Sequence, residues 1–490
     1  MRSEHEVLIQ FLADVDEQIR YQPMHAAVNE ELKAHIEDKA ETYMEYGMEE
    51  EEAFRRAVRE MGDASAIGIQ MNEAHHLRTA KPLLILLFVL MGIGMLGNFA
   101  ARGFDWMTCE EQLYILWGTL VLVLVMRYGY PLLLKHMGKL MILFLVLTAG
   151  NLCIHLAWRQ DWLLNFGCFQ YLFSPSVQFG ILQLAIPAAA VQMYRRRCRG
   201  IRGLFEVYGF LAVPVAASFF FFGAGYTHQG ILVLLLCCLG VSCYMVGKGY
   251  LKVEKKRGFA GAFLGVLVLA VIWAVPERER LGRSLELCFH PEAQAASAWE
   301  DGYNGVLMRE LLGRSEWFGS VSLSEEEKLR FYTSEWYFTD GPGEWQPGGI
   351  RELEDYVRYK MQFQGDPALK LRDLLPDGHG RNYRIARWIL SYGRIPAFFL
   401  TLLPLWACVL MFAAAFQIRN RLGRLTALSG SLALSLQSLF YLAGNLGYQF
   451  GAFGNLPFVS EGLVSITGSA VMAGLVLSAY RFDTVLKEKD

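Results

Sequence analysis

The chain has 490 residues, 53% of them hydrophobic, and a mean hydropathy of +0.26. That apolar share is near what a soluble domain carries, and the net charge of -2 averages over compartments that a membrane would separate, so neither total decides the class. The distribution does. Residues 1–82 are densely charged, 83–275 carry repeated apolar runs, 276–390 are polar, and 391–481 return to apolar. Glu4, Glu6, Asp14 and Glu17 break any early apolar core, which excludes a secretory signal peptide at this position. The nine cysteines show neither paired metal spacing nor a regular framework. Cys153, Cys237, Cys238, Cys243 and Cys408 lie inside apolar runs, as small hydrophobes do.

The first 78 residues read as a small cytoplasmic helical bundle. Leu8, Phe11, Leu12, Val15 and Ile19 recur at helical spacing, Pro23 sits where a first turn tolerates it, and Leu32, Ile36 and Tyr43 continue a second stripe. Gly47 marks a stop before a third helix with Ala53, Phe54, Ala57, Val58 and Met61. Gly62 and Asp63 then punctuate, and a fourth helix runs toward His75. So small a bundle is marginal alone and needs a surface to pack on.

Ten segments then reach the roughly 20 residues that span a hydrocarbon core. They are 83–101, 112–129, 138–157, 174–194, 205–225, 229–247, 258–275, 391–417, 425–446 and 461–480. The loops after the even-numbered segments are basic. They carry Lys135 and Lys139, Arg195 to Arg202, Lys248 to Arg257, and Arg419 to Arg424, whereas the alternate loops hold little beyond Arg102 and Arg159. The positive-inside rule therefore places both termini, including the tail 482–490, in the cytoplasm, and 276–390 outside. The expected fold is all-α: a polytopic membrane protein of seven helices (83–275), a large extracellular loop (276–390) and three more helices (391–481). The loop is too long for a structureless connector. Glu325–Arg330, Glu352–Lys360 and Asn382–Leu390 in it look helical, with breaks at Gly341-Pro342-Gly343 and Pro347-Gly348-Gly349.

Polar side chains within a bilayer are expensive and face a partner helix or a cavity. His155, Gln178, Gln183, Gln192, His228, Gln437, Asn445 and Glu461 are of this kind, and Gln437 and Asn445 share one helix face. Pro187, Pro214 and Pro404 would kink their helices. No phosphate-binding glycine loop, HExxH or nucleophile elbow is present, and Arg195-Arg196-Arg197 reads as a topology anchor near anionic lipid, not as a nucleic-acid site.

Two stretches resemble known families. Leu32-Lys33-Ala34-His35-Ile36-Glu37-Asp38, Gly47 to Ala53 and Met61-Gly62-Asp63 resemble the permease prefix domain, a cytoplasmic module preceding several kinds of bacterial membrane protein. Gln437, Asn445-Leu446-Gly447, Leu456-Pro457-Phe458-Val459-Ser460 and Gly474 to Arg481 resemble the end of the FtsW/RodA/SpoVE (SEDS) family. Phe173-Ser174-Pro175-Ser176, His290-Pro291-Glu292, Gly302-Tyr303-Asn304 and Leu375-Pro376-Asp377-Gly378-His379 are similar to further family elements, in order. The resemblance implies ten membrane helices, both termini inside, a large loop after the seventh, and a role in cell shape or division.

It also implies handling of lipid II, an undecaprenyl-linked peptidoglycan precursor, together with a transpeptidase (penicillin-binding protein) partner. Glycan polymerisation needs a carboxylate to take the acceptor proton, and cationic side chains or a divalent cation for the departing pyrophosphate. The implied positions are Asp377 and His379 for chemistry, and Ser176, Gln437, Asn445, Ser460 and Glu461 for the precursor. The family's aspartate follows its histidine by about two residues, whereas here Gly380, Arg381 and Asn382 follow His379. The family's proline-aspartate-leucine-glycine element stands as Thr227-His228-Gln229-Gly230, the glutamate after its proline-serine is Val177, and the tyrosine after its late serine is Glu461. The resemblance therefore implies either a polymerase with Asp377 as base or a non-catalytic scaffold or regulator. A transporter or permease component carrying the same prefix module is the alternative, although no internal repeat is visible.

Overall fold

The computed structural model describes residues 4–19, 22–74, 77–102, 106–159, 175–220, 225–294, 302–324, 327, 371, 375, 382–451, 455–460 and 462–485. They are helical and contain no strand, and they divide into two compact units: residues 1–79 with 480–490, and residues 80–479.

The first unit holds α1 (Glu4–Gln18), α2 (His25–Glu45), α3 (Glu50–Met61) and α4 (Ala64–Ala74). The apolar stripes meet inside it: Val15, Ile36, Ala40, Ala53 and Ala57 are wholly buried. Gly47 ends the second helix with φ +86°, a left-handed conformation that costs glycine nothing. The Asp63 carboxylate accepts from the Ala66 amide at 3.1 Å and so caps α4. The unit closes on itself through Arg78. Its Nη1 donates to Asp483 Oδ2 (3.3 Å), its Nη2 donates to Tyr480 Oη (2.9 Å), and its guanidinium lies 4.3 Å from the Tyr480 ring centre. The Arg78 amide also donates to the Arg481 carbonyl.

The second unit is a bundle built from α5 (Lys81–Arg102), α6 (Trp106–Lys135), α7 (Leu140–Arg159), α8 (Pro175–Arg195), α9 (Ile201–Ala217), α10 (Gly225–Gly247) and α11 (Lys255–Ala274). After the large loop come α15 (Arg394–Gln417), α16 (Arg421–Asn445) and α17 (Leu463–Arg481). Among the described residues nine helices are long and apolar enough to cross a membrane. The tenth, α5, is apolar over a shorter described stretch, Lys81–Gly97. The protein is an all-α polytopic membrane protein. α8, α16 and α17 are the most enclosed of these helices, while α6 and α7 turn most of their apolar surface outward. Close approach relies on glycine: a Cβ on Gly265 of α11 would lie 2.1 Å from the Tyr208 ring of α9.

Two segment boundaries differ from the sequence reading. Helix α6 continues through Pro131 to Lys135, beyond the expected 112–129. The expected 391–417 is broken at Gly393, where φ is +93° and a Cβ would lie 2.6 Å from Phe318 Cα. The part before the break is a separate helix. Between the two membrane portions lie α12 (Arg278–Phe289), α13 (Tyr303–Gly313) and α14 (Arg384–Tyr392). Tyr303, Leu307, Met308, Leu311, Leu375, Tyr383, Ala386 and Leu390 form their own small core. The helical expectations at 325–330 (save Glu327) and 352–360 fall outside the described residues.

Candidate functional site

A guanidinium is among the hardest groups to take out of water, yet Arg384 is only 3% exposed. It opens α14, whose N-cap residue Tyr383 makes no side-chain cap bond. The exposed amides of that first turn are instead met by the end of α16. Tyr441 Oη accepts from the Arg384 amide (3.1 Å), and Asn445 Oδ1 accepts from the Ala386 amide (3.0 Å). Asn445 Nδ2 donates to the carbonyls of Asn382 and Tyr441, both at 2.9 Å. The Arg384 side chain donates through Nη1 to the Gly94 carbonyl of α5 at 3.0 Å. It fits because α5 is small there: a Cβ on Gly97 would lie 2.9 Å from Nη1, and one on Gly94 would lie 2.7 Å from the Val459 carbonyl.

One turn deeper, Gln183 Nε2 of α8 donates to Gln437 Oε1 (2.5 Å), and Gln437 Nε2 donates to the Asn455 carbonyl (2.9 Å). The segment 455–460 is thereby tied between α16 and α5. Ser460 Oγ accepts from the Leu456 amide at 3.0 Å, and Phe458 holds the left-handed φ of +66° with its ring buried. Such a backbone conformation costs a non-glycine residue about 1–3 kcal/mol. Beside this floor, burial pushes the Tyr383 phenol above its usual range and keeps it protonated; its hydroxyl donates to Gln449 Oε1.

A second polar group gathers where α10, α11 and α12 meet. His228 Nε2 lies 3.5 Å from Glu277 Oε2, and Nδ1 lies 3.3 Å from Ser284 Oγ. Arg280 Nη1 holds both Glu277 oxygens at 3.2 and 3.4 Å, and the Trp273 ring stands edge-on to the imidazole. A polar cavity of about 420 Å³, lined by Val275 to Arg280, adjoins the pair. An imidazole in contact with a carboxylate can relay a proton. Among the described residues no three His, Cys, Asp or Glu side chains converge to hold a metal ion.

The structure therefore brings Gln437, Asn445 and Ser460 together at one end of the bundle. Ser176 sits in the first turn of α8, but its side chain is outside the described residues, as are Asp377, His379 and Glu461. The sequence reading missed Arg384 and Tyr441. Their only local signal was a charged residue at the start of a helix with an apolar face.

No protein family profile matches the chain, and no curated protein matches it either. Among the solved structures that are similar is one described as "Structural coordination of polymerization and crosslinking by a peptidoglycan synthase complex". A chain of it aligns over 84% of this chain and 100% of its own, with a TM-score of 0.52 and 16% sequence identity. The two chains share a fold. At that identity the likeness speaks for architecture, and chemistry has to be argued from the site.

Proposed function

We propose that this protein is a divergent relative of the FtsW/RodA/SpoVE family that works in bacterial peptidoglycan synthesis. It binds the polyprenyl-linked glycan precursor at the outer face, beside a transpeptidase-bearing partner, as a non-polymerising scaffold or regulator with both termini in the cytoplasm. The supporting observation is the fixing of the chain just after Leu375-Pro376-Asp377-Gly378-His379. Asn445 and Tyr441 clamp Asn382, Arg384 and Ala386 onto the membrane helices. From Gly378 to Leu390 this segment carries Arg381, Arg384 and Arg387 and no Asp or Glu. Such a segment suits a pyrophosphate, since guanidinium groups pair with phosphate oxygens in a fixed fork. It supplies no carboxylate for the acceptor proton.

The shared fold with a synthase chain supports a second reading, an active polymerase with Asp377 as the base and His379 beside it. One pair of assays separates the two. Purified full-length protein in nanodiscs is expected to bind fluorescent lipid II and to yield no glycan, with or without a partner transpeptidase and divalent cation. Absence of binding overturns the proposal. Glycan product, abolished by Asp377→Ala in a folded protein, replaces the scaffold with the polymerase.

A further inference from the structure

At the other end of the bundle, among the basic loops, an apolar groove of about 490 Å³ opens between α6, α7, α8 and α17. Leu132, Leu143, Phe144, Pro187 and Leu475 line it, and His136 and Lys139 stand at its mouth. Pro131 lies within α6 and Pro187 within α8, and each proline removes one backbone donor from its helix. The volume is within the range of pockets that enclose a small ligand. From Val125 to His136 the groove follows α6 for roughly 16 Å at ~1.5 Å per residue, which is about half of a ~30 Å hydrocarbon core. It is one leaflet deep.

The mouth is built to hold cations together. Gln192 Nε2 of α8 donates to the Met137 carbonyl, pinning the turn with His136 and Lys139 to the end of α8. A Cβ on Gly138 in that turn would lie 2.9 Å from Arg195 Nη1, so Arg195 reaches the same place. The neighbouring arginines Arg196, Arg199 and Arg202 share the single carboxylate of Glu206, which offsets one of their three charges and holds them about itself. Lys135, Lys139 and Arg195 form no ion pair among the described residues. An apolar slot one leaflet deep beneath Lys139 and Arg195, two cations without an ion pair, matches one ligand chemistry.

We propose that this groove is a specific site for an anionic glycerophospholipid of the leaflet facing the basic loops. One acyl chain lies along α6 and the phosphate rests on Lys139 and Arg195. The site is independent of the precursor-handling end. Basic pockets between membrane helices capture anionic headgroups in this way.

Native mass spectrometry of the full-length protein, titrated with phosphatidylglycerol or cardiolipin against phosphatidylethanolamine, tests it. The wild type should retain the anionic lipid with a preference on the order of 30-fold, as expected of two cations, Lys139 and Arg195, at about 1 kcal/mol each. The Lys135→Gln, Lys139→Gln, Arg195→Gln triple variant should reduce that preference to near unity with unchanged thermal unfolding. Leu143→Trp, which fills the groove from an exposed position, should displace the lipid while leaving the cations in place. Neutralising Lys252, Lys255 and Lys256 instead should change little. A preference that survives the triple variant, or one lost equally in the Lys252, Lys255, Lys256 control, overturns the site in favour of diffuse surface charge. Retention undiminished by Leu143→Trp removes the groove from it.

Discussion

Asn445→Ala is the sharpest perturbation of the clamp. It removes the acceptor of the Ala386 amide and the donor to the Asn382 carbonyl in a side chain that is fully buried. Each backbone polar group left unpaired out of water costs about 1–3 kcal/mol. With partial relaxation, the two together weaken the start of α14 by about 2–4 kcal/mol. At 1.4 kcal/mol per factor of ten, amide exchange in α14 should accelerate roughly 30- to 700-fold. The assay is hydrogen–deuterium exchange with mass spectrometry on nanodisc-embedded protein, following the peptide over 384–392 and one from α10 as an internal reference. Asn445→Asp keeps an acceptor for Ala386 and loses the donor, so it should fall between wild type and alanine. Exchange in α14 within threefold of wild type, with α10 unchanged, would show that the clamp carries none of this weight.

Three further outcomes follow from the same geometry. Arg384→Met should weaken lipid II binding at least about tenfold, the loss of a charge-assisted phosphate contact, and unchanged affinity in a folded protein would remove the buried cation from the site. Gly265→Leu should destabilise the α9–α11 contact by about 1–3 kcal/mol or more through overpacking against Tyr208, read as a lower midpoint in denaturant-induced unfolding; an unshifted midpoint would refute the close approach. Asp483→Asn should weaken the Arg78 clasp by about 1–2 kcal/mol, since Asp483 is buried but Arg78 stays partly solvated. Faster proteolysis around residues 77–79 and 482–485 would register it, and an unchanged cleavage rate would count against it.

Much of the architecture is legible because lipid imposes a length and an apolar composition on every crossing. The apolar runs from Leu83 onward correspond to helices, and the α2 stop at Gly47 was visible as a glycine after a periodic stripe. The break at Gly393 was less visible, because Tyr392 and Ile395 keep the run apolar. Its cause is the backbone of Phe318, far away in sequence. The same distance in sequence hid the site. Gln183 and Gln437 each stood out as costly polar groups, but nothing local shows that they bond each other across 254 residues. Arg384 looked like an ordinary helix-start arginine. Its burial depends on two glycines in α5, one of them 290 residues away. A periodic pattern reports which face turns inward, but not which distant backbone waits there.

The Arg78–Asp483 bond joins positions 405 residues apart. A ribosome adding ~5–20 residues per second leaves an interval of roughly 20–80 s between making one partner and making the other. Throughout that interval Arg78 is a cation with neither its carboxylate nor the Tyr480 ring to sit on. The four-helix unit can begin to fold during synthesis, but it reaches its final form only after the last membrane helix has been made. The clasp can therefore close only once residues 480–483 have been made, long after the four helices that it steadies.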